Sequence, residues 1–301
     1  MIIDTKVLID DLKKRGLVIN DQEELERYIN NFNANTFLVS YSEFFENEKD
    51  RFKGVVASDI IKLYVFDKNM GNHIFRDILT IEKIMNTRVA IETINYFNIE
   101  DKCLLGLDEN LIKNSILRNL NEVEPYVEFK TFMMRLVKYL ETNRSTKALL
   151  NRETKDDIQK WKNVPLDLMC LTWSFSNTFS FFIASAKELR HRILATFNID
   201  YQHYKGFIDF IKNLINLRNS ISHNGVVYNM SVKYQSLQLN KLYISMFKDP
   251  VRDNTMRLVN IIRMISKLAD NTKTYEKTVD FGKNLKISEP YKSRIAKLFD
   301  L

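Results

Sequence analysis

Glycine and proline are scarce in this chain, seven and four residues in 301. That is too little turn chemistry for an all-β protein or a long disordered linker, and it points to an all-α fold of long helices joined by short connections. Cysteine is nearly absent as well. Cys103 and Cys170 lie far apart in apolar surroundings with no Cys-x-x-Cys and no histidine nearby, which excludes a cysteine-based zinc site and fits buried thiols in a reducing, cytoplasmic compartment. His73, His191 and His203 are scattered without carboxylates at ligand spacing, so neither a metal nor a bound cofactor is expected. Residues 1–16 alternate acidic, basic and apolar types and lack the apolar core of a signal peptide. No repeat, heptad array, glycine-rich phosphate loop or low-complexity segment occurs.

Long hydrophobic runs are missing too, with one window to test. Leu168–Ala186 is free of charge over nineteen residues, yet it holds Thr172, Ser174, Ser176, Asn177, Thr178, Ser180 and Ser185. So many hydroxyl and amide groups are too costly against lipid, and the window reads as a helix buried in a bundle, with no membrane partner.

What the chain does have is an apolar fraction of 45% and a net charge of +7. Its length suffices for one large or two small cores. The charge is uneven: residues 251–301 carry eleven Lys or Arg against six Asp or Glu. Lys283, Lys286, Lys292 and Lys297 are candidates for binding a polyanion such as RNA, with Tyr275, Phe281 and Tyr291 interleaved among them. A lysine-rich solvated surface, with the aromatic rings in the core, is the other reading of the same residues.

Helical signals follow one another along the sequence. Lys6–Lys14 stops at Gly16, and Asp21 with Glu24 reads as a capping box for a helix to Phe32. Phe37–Phe45 is apolar without a clear period. One helix starts at Ser58, and Met70-Gly71 separates it from another over 72–97, whose buried stripe is Ile74, Ile78, Ile81, Met85 and Val89. Glu82 and Arg88 border that stripe, either as ordinary boundary charges or with Glu82 orienting a group of an active site. Three segments follow from this reading: an N-terminal helical segment, 1–57; a core, 58–230, with a helical insertion around 101–160; and a basic C-terminal helical extension, 231–301.

The densest chemistry lies at the end of an amphipathic run. Phe207, Phe210, Ile211, Leu214, Leu217 and Ile221 form one helical stripe, and Lys212, Asn216, Asn219 and His223 another. Arg218 flanks the polar stripe, and Gly225 fits the left-handed position that closes a helix, just after Asn224. Arg218, Asn219 and His223 together offer a fixed positive charge, an orienting amide and a group that exchanges a proton near neutral pH. Those are the requirements for breaking an RNA phosphodiester without a metal. A solvated polar face closed by a capping histidine would show the same pattern.

The run Leu217-Arg218-Asn219-Ser220-Ile221-Ser222-His223, followed by Tyr228-Asn229, resembles the signature of the bacterial Abi-like abortive-infection proteins of the AbiD and AbiF type. These belong to the wider HEPN superfamily, whose ribonucleases carry Arg-x4-6-His. Leu12-Lys13-x-x-Gly16-Leu17, Leu63-Tyr64-x-Phe66-Asp67 with Ile81-Glu82 and Arg88, and Val164-Pro165-Leu166 agree in order. Where the family often has a small apolar residue and a second histidine around the catalytic one, this chain has Ser222 and Asn224. The resemblance implies an all-α HEPN-type bundle with extra N- and C-terminal helices, a homodimer, and an RNA-cleaving toxin of phage defence restrained by a small RNA antitoxin. On that view Arg218, His223 and Asn219 are catalytic and Glu82, Arg88, Ser222, Asn224 and Tyr228 support them. Lys212 joins the four tail lysines as an RNA contact. The rival readings are a non-catalytic RNA-binding protein and a helical protein-interaction module.

Overall fold

The computed structural model describes residues 5–32, 37–38, 40–45, 52, 54–97, 173–251, 255–289 and 291–299. The expected insertion around 101–160, both cysteines, Val164-Pro165-Leu166 and the first residues of the uncharged window lie outside them. Among the described residues the fold is all-α, with eleven α-helices and no strand. The chain divides into two compact units, one of Met1–Asp77, Asn216–Lys233 and Pro250–Leu301, the other of Ile78–Ile215 and Tyr234–Asp249.

In the first unit, α1 (Thr5–Lys14) turns Ile9 and Leu12 inward. Gly16 takes φ +96°, and the Leu17 N–H donates back to Leu12 O at 3.0 Å, a glycine closure as the sequence implies. α2 (Gln22–Phe32) is capped by Asp21, whose carboxylate accepts the Glu24 N–H at 2.8 Å, while the Glu24 side chain pairs with Arg27. The aperiodic aromatic segment contains a short helix, α3 (Ser40–Phe45). Aromatic rings need no helical stripe to be buried: Tyr41, Phe44 and Phe45 pack edge-on against Tyr64, Tyr228 and Tyr291 at 5.3, 5.4 and 4.7 Å.

α4 (Ala57–Phe97) runs unbroken for 41 residues, about 60 Å. The separation expected at Met70-Gly71 is absent. A glycine inside a helix costs about 1 kcal/mol relative to alanine, too little to break one this long. A Cβ on Gly71 would make only ordinary contact with Val227 Cγ2 at 3.4 Å and Ile221 Cγ2 at 3.7 Å, so no close approach requires the glycine. Near the start of α4 the buried Asp59 accepts the Ser288 N–H at 3.0 Å and pairs with Lys62 at 3.1 Å. The basic extension supplies α9 (Leu258–Leu268), α10 (Thr272–Asn284) and α11 (Tyr291–Phe299), and the buried face of α9 comprises Leu258, Val259, Ile261, Ile262, Met264 and Ile265.

The second unit holds the remainder of α4, with Ile78, Ile81, Met85 and Val89 all buried as the stripe predicts. It adds α5 (Phe175–Ala184), α6 (Lys187–Thr196), the 204–215 part of α7 (Tyr204–Ser222), and α8 (Leu237–Phe247). In the described part of the uncharged window, Trp173, Phe175, Phe179, Phe181, Phe182 and Ile183 are buried. Three of its polar side chains find partners inside the protein: Ser174 caps α5, Thr178 donates to Asn86, and Ser185 Oγ donates to Phe181 O at 2.7 Å. No helix among the described residues is long and apolar enough to cross a membrane.

Candidate functional site

The polar end of α7 lies in the first unit. Leu217 is buried and Ile221 half-buried, which fixes the face of the last turns and leaves Asn219, Ser222, His223 and Asn224 exposed. Arg218 is half-buried on the flank. Its Nη1 donates to Asn219 Oδ1 at 3.3 Å, and its Nε, shielded from solvent, has no hydrogen-bond partner. No carboxylate lies within ion-pair distance of Arg218 among the described residues. The guanidinium is held beside the amide, with one donor that no protein group accepts among the described residues.

His223 follows Asn219 by one helical turn, with its N–H on Asn219 O at 3.1 Å, and Ser222 Oγ donates to the same carbonyl at 2.9 Å. The left-handed residue that closes the helix is Asn224, at φ +61°, and Gly225 stands one position later. The Gly225 N–H bonds Ser220 O at 2.8 Å, and the Asn224 N–H bonds Ile221 O at 3.0 Å. Asparagine tolerates this conformation. Gly225 is required for a different reason: a Cβ there would come to 2.4 Å from Ser220 Oγ and 2.8 Å from Ser220 O.

The loop after α7 is gripped by two neighbouring side chains of α4 for which sequence reasoning assigned no role. Lys68 Nζ donates to Asn224 O at 2.9 Å and to Gly225 O at 3.0 Å. Asp67 Oδ1 accepts the N–H groups of Val227, at 2.8 Å, and Tyr228. Asp67 Oδ2 accepts the Tyr41 hydroxyl at 2.6 Å and lies 3.7 Å from Lys68 Nζ. Burial raises the Asp67 carboxyl above its ordinary range, while Tyr41, the Tyr228 N–H, Lys68 and the Val227 N–H oppose that rise. Burial likewise lowers the Lys68 ammonium, against the pull of Asp67. The signal was present in the sequence. Asp67 stands on the stripe Leu63, Asp67, Met70, Ile74, and all four are fully buried, so a carboxylate occupies an otherwise apolar helix face and demands partners.

The other expected site residues distribute differently. Tyr228 is buried against Phe44 and Tyr41, and burial beside Asp67 raises its phenol well above the ordinary value. Glu82 lies in the second unit, where Oε1 accepts the Phe175 N–H at 2.8 Å at the start of α5. Arg88, in the same unit, stacks on Phe197 with its guanidinium 4.2 Å from the ring centroid. Lys212 sits over the Tyr234 ring at 5.5 Å in that unit. None of these three is brought to the end of α7 by a contact within one unit.

In the basic extension Lys283, Lys286, Lys292 and Lys297 are all exposed. Of the interleaved rings, Tyr291 is core, its hydroxyl donating to Phe45 O at 3.2 Å. Phe281 is exposed beside His73 and Tyr275 is half-buried near Arg263. No three His, Cys, Asp or Glu side chains converge as metal ligands among the described residues.

A model of the Abi-like protein family matches residues 26–229, about two thirds of the chain, and the protein belongs to that family. No curated protein and no solved structure matches it.

Proposed function

We propose that the protein is a metal-independent endoribonuclease toxin of the HEPN type that acts in abortive-infection defence against phage. Family membership supports the setting. The observation that carries the chemistry is the Arg218–Asn219 pair, a guanidinium with an unpartnered buried donor, one turn from the exposed His223.

In the proposed reaction the ribose 2′-OH attacks the adjacent phosphorus, the P–O5′ bond breaks, and the products are a 2′,3′-cyclic phosphate and a 5′-hydroxyl end. The nucleophile is the substrate's own hydroxyl, so RNA is selected and no metal-bound water is needed. Arg218 stabilises charge on the non-bridging oxygens, held in place by Asn219. His223 takes the proton from the 2′-OH or gives one to the departing 5′-oxygen. In-line displacement places those two protons on opposite sides of the phosphorus, so one imidazole does not serve both, and a homodimer supplies the second copy. The exposed tail lysines and Lys212 hold the RNA backbone, and a small RNA binding the same basic surface is a natural restraint.

Incubating the purified protein with RNA in EDTA tests this reading. Fragments bearing cyclic phosphate and 5′-hydroxyl ends are expected, none from a strand with 2′-deoxyribose at the cut position, and sedimentation at twice the monomer mass. Cleavage that needs a metal and leaves 5′-phosphates would overturn the mechanism. RNA binding without cleavage would favour a non-catalytic RNA-binding protein, for which the exposed lysines already provide the surface.

A further inference from the structure

We infer that Asp67 and Lys68 are positioning residues for His223, holding the helix end that presents the imidazole from a helix that carries none of the motif. The inference rests on the reading of His223 given above.

Each half of this clamp uses a different kind of backbone group. The end of α7 leaves carbonyls without intrahelical donors, and the loop beyond it contributes more. Lys68 supplies one ammonium to two successive carbonyls, Asn224 O and Gly225 O, immediately after His223. Asp67 then takes two successive N–H groups, those of Val227 and Tyr228, on a single carboxylate oxygen. Five consecutive residues, 224–228, are thus fixed at both ends by neighbouring residues of α4. The other Asp67 oxygen is fixed by Tyr41 at 2.6 Å, which prevents the carboxylate from rotating away. One turn further on, Ile221 and Val227 sit against α4 at Gly71.

The arrangement is dearer than stability requires. A fully buried carboxylate and a half-buried ammonium lose hydration that an apolar contact would not sacrifice. Their product is a defined place for a short polar segment that has little apolar anchorage of its own, since residues 222–224 are exposed. An imidazole that must reach a phosphate edge needs that definition, because a displacement of about 1 Å can cost about a hundredfold in rate.

The test compares Lys68→Met, Lys68→Arg and Asp59→Asn. Asp59 ties the start of α4 to Ser288 and touches nothing in the clamp, so its variant controls for simple loss of stability. Lys68→Met is expected to lower kcat by about tenfold to a hundredfold with KM within about twofold. Lys68→Arg should restore most of it, and Asp59→Asn should lower Tm while leaving kcat unchanged. A second readout is independent of cleavage: the ring signal of His223 in a histidine-labelled sample, assigned by its loss in His223→Ala. That signal should shift or broaden in Lys68→Met and return in Lys68→Arg, while those of His191 and His203 stay fixed. Should Lys68→Met not fold, Lys68→Gln takes its place. An unchanged His223 signal together with an unchanged kcat would overturn the inference. A His223 signal that moves in a protein that cuts no RNA would instead overturn the ribonuclease reading and leave the positioning intact.

Discussion

The two parts of α7 are built by opposite rules. In the second unit, polar side chains of residues 204–215 are spent on the fold: Asn213 Nδ2 donates to Asp209 O at 2.9 Å and Tyr234 O at 3.1 Å, and its Oδ1 accepts the Tyr234 N–H at 3.3 Å. Asp209 accepts from Ser236, the residue that caps α8. Gly206 allows the α8 backbone to pass so closely that a Cβ would lie 2.3 Å from Gln238 O. In the first unit, residues 216–223 present polar groups that the fold leaves largely unspent. Arg218 and Asn219 engage each other, and the His223 ring is exposed. The helix thus uses Asn213 and Asp209 to hold the fold on one stretch. On the next it leaves the side chains of Arg218, Asn219 and His223 without bonds to other elements among the described residues, which on the proposed function separates stability from chemistry along its own axis.

The strongest way to break that separation is to exchange the two outcomes by mutation. His223→Ala and Arg218→Ala should each lower the rate of RNA cleavage by about 10²–10⁴-fold, with Tm and helical circular dichroism unchanged. A loss of Tm in proportion to the loss of rate would show that this end of α7 is structural after all. Asn213→Ala should do the reverse. It removes the buried amide that bridges Asp209 O and both backbone groups of Tyr234, so stability should fall by about 1–3 kcal/mol, read as a lower urea midpoint at the same slope, while kcat of the remaining folded protein stays at the wild-type value.

The sequence made the spent part of the molecule easier to read than the site. Apolar stripes at helical spacing located α4 and α7, because burial depends on period and not on partners distant in the chain. Gly71 misled for a physical reason: glycine weakens a helix by only about 1 kcal/mol, and the buried stripe that continues through Met70 and Ile74 carries the helix across it. Gly225 shows a different limit. The sequence placed the left-handed residue there, but Asn224 takes that conformation and Gly225 serves the close passage by Ser220. The placement of Arg218, Asn219 and His223 together was legible because their spacing is local to one helix end. Asp67 was legible only as a carboxylate on an otherwise apolar stripe that demands partners; which partners, and the role of Lys68, were not, since residues 224–228 come together with them only in the fold.

A weaker effect separates binding from cleavage. Replacing Lys283, Lys286, Lys292 and Lys297 by Gln removes four exposed charges without touching the core. The slope of log affinity for single-stranded RNA against log salt should fall by up to about 3, because each neutralised phosphate contributes about 0.7. Cleavage at saturating RNA should stay within about twofold. An unchanged slope would mean that the lysines only keep the surface solvated.

The smallest expected effect contrasts His223 with a histidine that lies on α4, outside the motif. The ring of His73 packs beside Phe281, with centroids 6.0 Å apart. Burial lowers its pKa first, Lys277 and Arg76 lower it further, and Asp77 opposes them. The folded protein therefore favours neutral His73 more than the unfolded chain does. A group with a depressed folded pKa contributes stability above its unfolded value and loses that contribution as pH falls through the folded value. Wild-type Tm should consequently decline on going from pH 7 to below the ordinary histidine range. His73→Gln, uncharged throughout, should show a shallower decline, and the two chains share every other titrating group. RNA cleavage should be the same in both, since His73 is outside the proposed chemistry. A steeper decline in the variant would mean that charged His73 is stabilised by Asp77 instead. A loss of cleavage would extend the site from α7 onto this face of α4, and the division between spent and unspent residues would then have to be redrawn on α4 as well.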